Sequence, residues 1–105
     1  MPSLLQKNTN KMKLEVIDFY ADWCNPCKAM SPAIKSLQDE FPEGNESGVT
    51  ITKVNVDSEP DLAKKYNIRS IPTLVFVKEG IEHERSSGSK TKDFIKEKIN
   101  ELLNN

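Results

Sequence analysis

The apolar residues of this chain fall into short continuous runs and stretches with helical spacing. Residues 14–20 form an apolar run bounded by polar residues, which predicts a mostly buried strand. Beyond residue 27, apolar side chains recur on one helix face, at Met30, Ala33, Ile34, Leu37 and Phe41. Pro26 suits the first turn of this helix, whereas Pro32 falls inside the helix and is expected to kink it.

The middle of the chain predicts a loop, a second strand and a short helix. Residues 41–48 contain Pro, Gly and Asn and therefore form a loop. A strand follows at 49–56 and a short helix at 62–66. Because a helix connects the first two strands, we expect these strands to run parallel.

The last third of the chain predicts a hairpin and a final helix. Two strands at 73–77 and 81–85 are joined by the turn at 78–80, so they run antiparallel. Thr91 is placed to cap the last helix, whose apolar face carries Phe94, Ile95, Ile99, Leu102 and Leu103. The resulting order predicts an α/β fold with a mixed sheet and helices on both faces.

Composition and charge exclude two classes of function. The chain carries 15 basic and 16 acidic residues, and its lysines are mixed with acids, so it lacks the basic face of a nucleic-acid-binding protein. No apolar stretch approaches the roughly 20 residues of a membrane span. Residues 1–13 show no long apolar run and no small-residue cleavage site. We therefore expect a cytoplasmic monomer that binds neither nucleic acid nor membrane.

The two cysteines, Cys24 and Cys27, lie where the first strand gives way to the first helix. Secreted disulfide scaffolds normally carry more cysteines, and so short a loop would stabilise a fold little, which favours a redox or a metal site. Zinc needs four ligands, and His83 lies far away among charged residues, so we interpret it as a surface residue and predict no metal. An inactive buried pair and half of a metal site remain the competing interpretations.

Thiol–disulfide exchange needs a thiolate, which a helix N-terminus favours through its free N–H groups and its dipole. Cys24 lies just before the helix, so we expect it to be exposed and to attack a substrate disulfide. Cys27 lies one turn further in and is expected to be more buried. It would then attack Cys24 and release the reduced substrate.

Several segments match one known family. Residues 17–28, Ile-Asp-Phe-Tyr-Ala-Asp-Trp-Cys-Asn-Pro-Cys-Lys, and residues 68–75, Ile-Arg-Ser-Ile-Pro-Thr-Leu-Val, resemble the active-site segment and the proline loop of the thioredoxin family. Residues 53–57 resemble its central strand, and Gly88 matches its late glycine. The resemblance implies the thioredoxin fold over residues 14–105, after a short N-terminal arm at 1–13.

The resemblance also implies roles for residues outside the cysteine pair. Pro72 is similar to the family's cis-proline beside the disulfide, which leaves Ile71 to pair with an extended substrate; the alternative is a turn proline that starts the next strand. Asp18 stands in an apolar strand, where burial raises the pKa of a carboxyl group. The resemblance implies that Asp18 is a general base for Cys27 and that Lys53 lies near it. Exposure at the sheet edge, or a simple ion pair, is the alternative for these two residues.

Two further residues are expected at the rim of the site. Trp23 is either a core aromatic or, with Ile71 and the backbone near Gly88, part of a shallow surface for substrates. Asn25 replaces the family's usual glycine, and with Pro26 it modulates the active site, because its side chain can bond to nearby backbone groups. Ser86 and Ser87 make the rim more polar than usual. The short arm leaves room for one element instead of the family's usual strand and helix, and a missing first strand would expose a sheet edge.

The sequence thus predicts a protein-disulfide reductase that needs no bound cofactor. Its partners would be disulfide-containing proteins and an electron donor similar to thioredoxin reductase. A disulfide oxidase or isomerase is the first alternative. A docking module, or a module that binds metal or an iron–sulfur cluster, is the second.

Overall fold

A computed structural model describes residues 13–104 of the chain. The strands are β1 (Leu14–Tyr20), β2 (Val49–Asn55), β3 (Thr73–Lys78) and β4 (Ile81–Ser87), and the helices are α1 (Asn25–Glu40), α2 (Pro60–Lys65) and α3 (Lys92–Leu103). The predicted order of elements is confirmed. The predicted N-terminal arm, apart from Lys13, lies outside the described residues, and so does any first strand that it contains. Among the helices within 13–104, none is long and apolar enough to cross a membrane.

Strand β1 lies at the centre of the sheet, whose order is β2-β1-β3-β4. It pairs in parallel with β2 and antiparallel with β3, and β4 pairs antiparallel with β3, which confirms the predicted mixed sheet. The register places Asp18 of β1 between Lys53 of β2 and Leu74 of β3. Strands β1 and β3 are apolar along most of their length because helices cover both of their faces.

Alternation along β1 divides its side chains between two cores. Leu14 and Val16 pack with residues of α1 and α3, namely Met30, Ile34, Leu37, Ile95, Ile99 and Leu102. Ile17 and Phe19 face the other way and pack with a cluster that includes Leu62, Tyr66 and Ile68, at and just after α2. Burying each large apolar side chain contributes about 1.5–3 kcal/mol, so the two clusters hold the helices on opposite faces.

The ends of the helices follow from local sequence. Cys24 is the N-cap of α1, and Pro26 lies in its first turn, where a missing N–H group costs no hydrogen bond. At the other end, the N–H group of Phe41 donates to the carbonyl oxygen of Leu37 at 2.8 Å. Pro32 lies inside α1 on its exposed side. In α3 the predicted cap is confirmed, because Thr91 Oγ1 accepts from the N–H group of Phe94 at 3.1 Å.

Candidate active site

The two cysteines form a disulfide at the N-terminus of α1, with their Cα atoms 5.2 Å apart. The N–H group of Cys27 donates to Cys24 Sγ at 3.2 Å. The first turn of the helix therefore points a backbone donor at the sulfur of its own N-cap. After reduction, this donor and the positive end of the helix dipole favour a thiolate on Cys24.

The two cysteines do not differ in burial as expected. Cys24 is 4% exposed and Cys27 is 7% exposed, so the expectation of an exposed Cys24 and a deeper Cys27 is wrong for the disulfide form. Both sulfurs share one small space, where Ala21 joins them in a buried cluster and Tyr20 and Ile71 pack against it. Because the disulfide holds the two sulfurs together, their positions along the helix no longer give the two cysteines different exposures.

The proline loop is joined to the loop that carries Gly88. The Ile71–Pro72 peptide bond is cis, Pro72 is buried, and β3 begins directly after it. The N–H group of Gly88 donates to the carbonyl oxygen of Pro72 at 2.8 Å. Gly88 has a φ of +90°, a left-handed conformation that favours glycine. This hydrogen bond brings Gly88 next to the loop that packs on the cysteines.

Trp23 lies at the surface beside this loop and is not a core aromatic. Its side chain is 67% exposed, and its Nε1–H group donates to Asp57 Oδ2 at 2.9 Å. A shallow groove of about 200 Å³ separates Trp23 from Ile71, and Val56, Ala63, Ile68, Arg69 and Ser70 line the rest of it. The structure therefore brings Trp23 and Ile71 together on one groove.

Asp18 is buried in β1, between its register partners Lys53 and Leu74. It is 3% exposed, which excludes the alternative of a carboxylate at an exposed sheet edge. Its Oδ1 atom has no hydrogen-bond partner among the described residues. Burial raises the pKa of Asp18 from 3.8 to about 6, and the positive charge of Lys53 opposes this shift.

Lys53 reaches the site from the neighbouring strand without pairing directly with Asp18. Its ammonium nitrogen lies 4.4 Å from the centroid of the Tyr20 ring. Tyr20, Lys53 and Cys27 line one open cavity of about 330 Å³, together with Ala21, Asp22, Lys28 and Ser31. Lys53 and Cys27 therefore face the same space.

The remaining predicted positions lie at the surface. Asn25 and Pro26 are exposed in the first turn of α1. Within residues 13–104, the side chain of Asn25 makes no hydrogen bond, although it is able to bond to nearby backbone groups. His83 is exposed on β4, as predicted. In this part of the chain, no three His, Cys, Asp or Glu side chains are grouped to hold a metal ion.

Two residues of the site were missed from the sequence. Tyr20 lies two positions after Asp18 in β1, so alternation along the strand places both side chains on the same face. That spacing was a usable signal. The sequence around Asp57 contains no comparable signal for its place in the site, because its contact with Trp23 joins residues that are 34 positions apart.

Comparisons with known proteins agree with this geometry. The family model described as Thioredoxin matches residues 3–101. A thioredoxin from Chlamydia trachomatis serovar D is 49% identical over 80 residues, which cover 76% of this chain and 74% of that protein. A thioredoxin from Mycoplasma genitalium is 40% identical over 96% of this chain and 90% of its own length. The X-ray structure of Fasciola hepatica thioredoxin superposes with a TM-score of 0.77 at 37% identity and covers 96% of this chain and 93% of that one.

Proposed function

Because the chain belongs to the thioredoxin family and is a thiol–disulfide oxidoreductase that reduces protein disulfides, we propose that Cys24 attacks the substrate and Cys27 resolves the intermediate. The observation that supports these roles is the hydrogen bond from the N–H group of Cys27 to Cys24 Sγ. A donor on this sulfur stabilises its thiolate, which makes Cys24 the attacking group.

The reaction needs two exchange steps. The Cys24 thiolate attacks one sulfur of the substrate disulfide, the disulfide breaks, and the other substrate sulfur leaves as a thiolate. The Cys27 thiolate then attacks Cys24 Sγ and expels the second substrate thiolate. The substrate gains two electrons, and the Cys24–Cys27 pair returns to the disulfide seen in the structure.

Asp18 is the proposed general base for the second step. A carboxyl group whose pKa lies near 6 takes up and releases a proton close to neutral pH. Asp18 is buried and its Oδ1 atom has no hydrogen-bond partner among the described residues, while its register partner Lys53 lines the same cavity as Cys27. A water molecule is proposed to connect Asp18 to Cys27. The positive charge of Lys53 lowers the pKa of this carboxyl group.

The groove between Trp23 and Ile71 is the proposed substrate surface. Ile71 presents backbone groups beside the cysteines, which suits pairing with an extended substrate segment. Trp23 supplies apolar contact area, and the hydrogen bond to Asp57 fixes its ring. Gly88 completes the rim without a side chain, and Pro72 holds the loop beside the disulfide.

The electron donor is proposed to be a separate reductase similar to thioredoxin reductase, since the pair must be reduced again after each cycle. Asn25 and Pro26 modulate the potential of the pair. About 30 mV corresponds to 1.4 kcal/mol for a two-electron couple, so a small change in the relative stability of the dithiol and the disulfide shifts the potential measurably. The cytoplasmic location and the monomeric state stay predictions.

Trapping the intermediate tests the two roles. Cys27→Ser is expected to accumulate a mixed disulfide between Cys24 and a disulfide-containing protein, visible by non-reducing electrophoresis and mass spectrometry. Cys24→Ser, the matched control, is expected to accumulate none. An adduct in Cys24→Ser, with none in Cys27→Ser, would reverse the assignment.

A further inference from the structure

Tyr20 lies between the cysteine pair and Lys53. Its side chain packs against the cluster of Ala21, Cys24 and Cys27. The Tyr20 ring also makes a cation–π contact with Lys53, whose ammonium nitrogen lies 4.4 Å from the ring centroid. One side chain therefore contacts both the sulfur site and the nearby cation.

The contact with Tyr20 places the ammonium group of Lys53 towards the end of β1. Lys53 is the register partner of Asp18, so a direct ion pair across the two strands would be the simplest arrangement. The ammonium group instead lies over Tyr20, the last residue of β1, at the end of the sheet where Cys27 lines the same cavity. The ring thus competes with the carboxylate for the cation.

We propose that Tyr20 is a positioning residue that holds the ammonium group of Lys53 on the cavity facing Cys27, where its charge favours the Cys27 thiolate. This inference rests on the proposed role of Cys27 as the resolving cysteine. A positive charge near a thiol raises the fraction of thiolate by more than it lowers the nucleophilicity of that thiolate. The attack of Cys27 on Cys24 Sγ is therefore faster with the cation in place.

The other charges around the cavity do not replace this cation. Asp22 lines the cavity from the turn after β1, and its carboxylate opposes a thiolate. Asp18 does not line the cavity, and as the proposed base it becomes neutral when it takes the Cys27 proton. On β3 the register partner of Asp18 is Leu74, which carries no charge. Lys28 of α1 also lines the cavity, but within residues 13–104 it has no aromatic ring to fix its ammonium group.

A double-mutant cycle tests the proposal. The probe is a mixed disulfide of Cys24 with thionitrobenzoate, from which the attack of Cys27 releases a coloured thiolate. We expect Tyr20→Leu to slow this release by about fivefold, the effect of losing one cation–π contact, whereas Tyr20→Phe retains the rate. In a Lys53→Met background, Tyr20→Leu is expected to add no further loss. An equal loss in both backgrounds would overturn the proposal, because Tyr20 would then act through packing alone.

A second series keeps the test independent of folding. Phenylalanine and its mono-, di- and pentafluorinated analogues at position 20 have similar shapes but progressively weaker attraction for a cation. The release rate is expected to fall with each added fluorine, and a constant rate would overturn the proposal. If the wild-type adduct releases no thionitrobenzoate at all, the role of Cys27 fails instead, so the two failures are distinguishable.

Discussion

Asp18 and Lys53 are direct register partners in the parallel pair of β1 and β2, yet their charged groups do not form an ion pair. The ammonium group lies over Tyr20, and Asp18 Oδ1 has no hydrogen-bond partner among the described residues. A buried carboxyl group without a direct partner destabilises the fold when it is ionised.

Removing the charge of Asp18 is expected to stabilise the protein at alkaline pH. The pKa is 3.8 when unperturbed and about 6 in the folded protein, so the folded state binds the proton more tightly than the unfolded chain. The free energy of unfolding therefore falls as the pH rises from 3.8 through about 6 and stays low above that range. Asp18→Asn should raise the free energy of unfolding at pH 8 by up to about 3 kcal/mol, and by little near pH 4.

Urea denaturation at both pH values measures this difference. Asp39→Asn is the matched control, since Asp39 is 71% exposed in an i,i+4 pair with Lys35. It should change the free energy of unfolding by less than about 0.5 kcal/mol at either pH. The burial argument would be contradicted if Asp18→Asn did not raise the free energy of unfolding at pH 8, or if it raised it equally at both pH values.

The same substitution is expected to slow catalysis. Asn cannot accept the proton that Cys27 releases, so Asp18→Asn should lower the rate of the Cys27 step at pH 7 by at least about tenfold. The pH profile of that rate should lose its inflection near pH 6. Stopped-flow measurement of thiol release from a Cys24 mixed disulfide gives the rate directly. Unchanged rates across the pH range would remove Asp18 from the mechanism.

Trp23 is expected to act in substrate binding and not in stability. Trp23→Ala should raise KM for a protein disulfide by about tenfold, since exposed aromatic anchors often contribute more than 1 kcal/mol to docking. Its free energy of unfolding should fall by less than about 1 kcal/mol because the side chain is 67% exposed.

Ile81 offers a matched control for this substitution. It is 64% exposed and lies at the start of β4, outside the groove between Trp23 and Ile71. Ile81→Ala should leave KM unchanged. Equal effects of the two substitutions on KM would show that the groove is not the docking surface.

The cap of α3 is expected to contribute to stability alone. Thr91→Ala removes the acceptor for the N–H group of Phe94 and should lower the free energy of unfolding by about 1 kcal/mol. Thr91→Ser keeps the hydroxyl group and should be close to neutral. Thermal unfolding of the two variants checks this, and an equal loss in both would mean that the methyl group, not the cap, is what matters.

The sequence predicted the elements well because local patterns determined them. The apolar run of β1, the helical spacing from Met30 to Leu37 and the cap at Thr91 each depend on neighbours within a few positions. The positions of the functional residues were harder to foresee. A carboxylate in an apolar strand is unusual, but the sequence alone leaves open an exposed sheet edge for Asp18. The pairing of β1 with both β2 and β3 and the burial of Asp18 exclude that alternative.

Contacts between distant segments account for what was missed. The contacts of Tyr20 with Lys53 and of Trp23 with Asp57 join different elements. Spacing along β1 shows which face Tyr20 shares with Asp18, but it does not show which side chain from another element packs there. The equal burial of Cys24 and Cys27 was also unforeseen, because helix position alone suggested different depths. The bond between the two sulfurs places them in one cluster with Ala21, which is a property of the oxidised site.

The equilibrium potential of the Cys24–Cys27 couple tests the central claim most directly. Purified protein is equilibrated with defined ratios of reduced and oxidised glutathione, and the free thiols are counted by alkylation and mass spectrometry. A protein-disulfide reductase should have a potential well below that of the glutathione couple, so that the pair stays oxidised until the buffer is almost entirely reduced. A potential clearly above that of glutathione would contradict the account, because the pair would then donate its disulfide and act as an oxidase or isomerase.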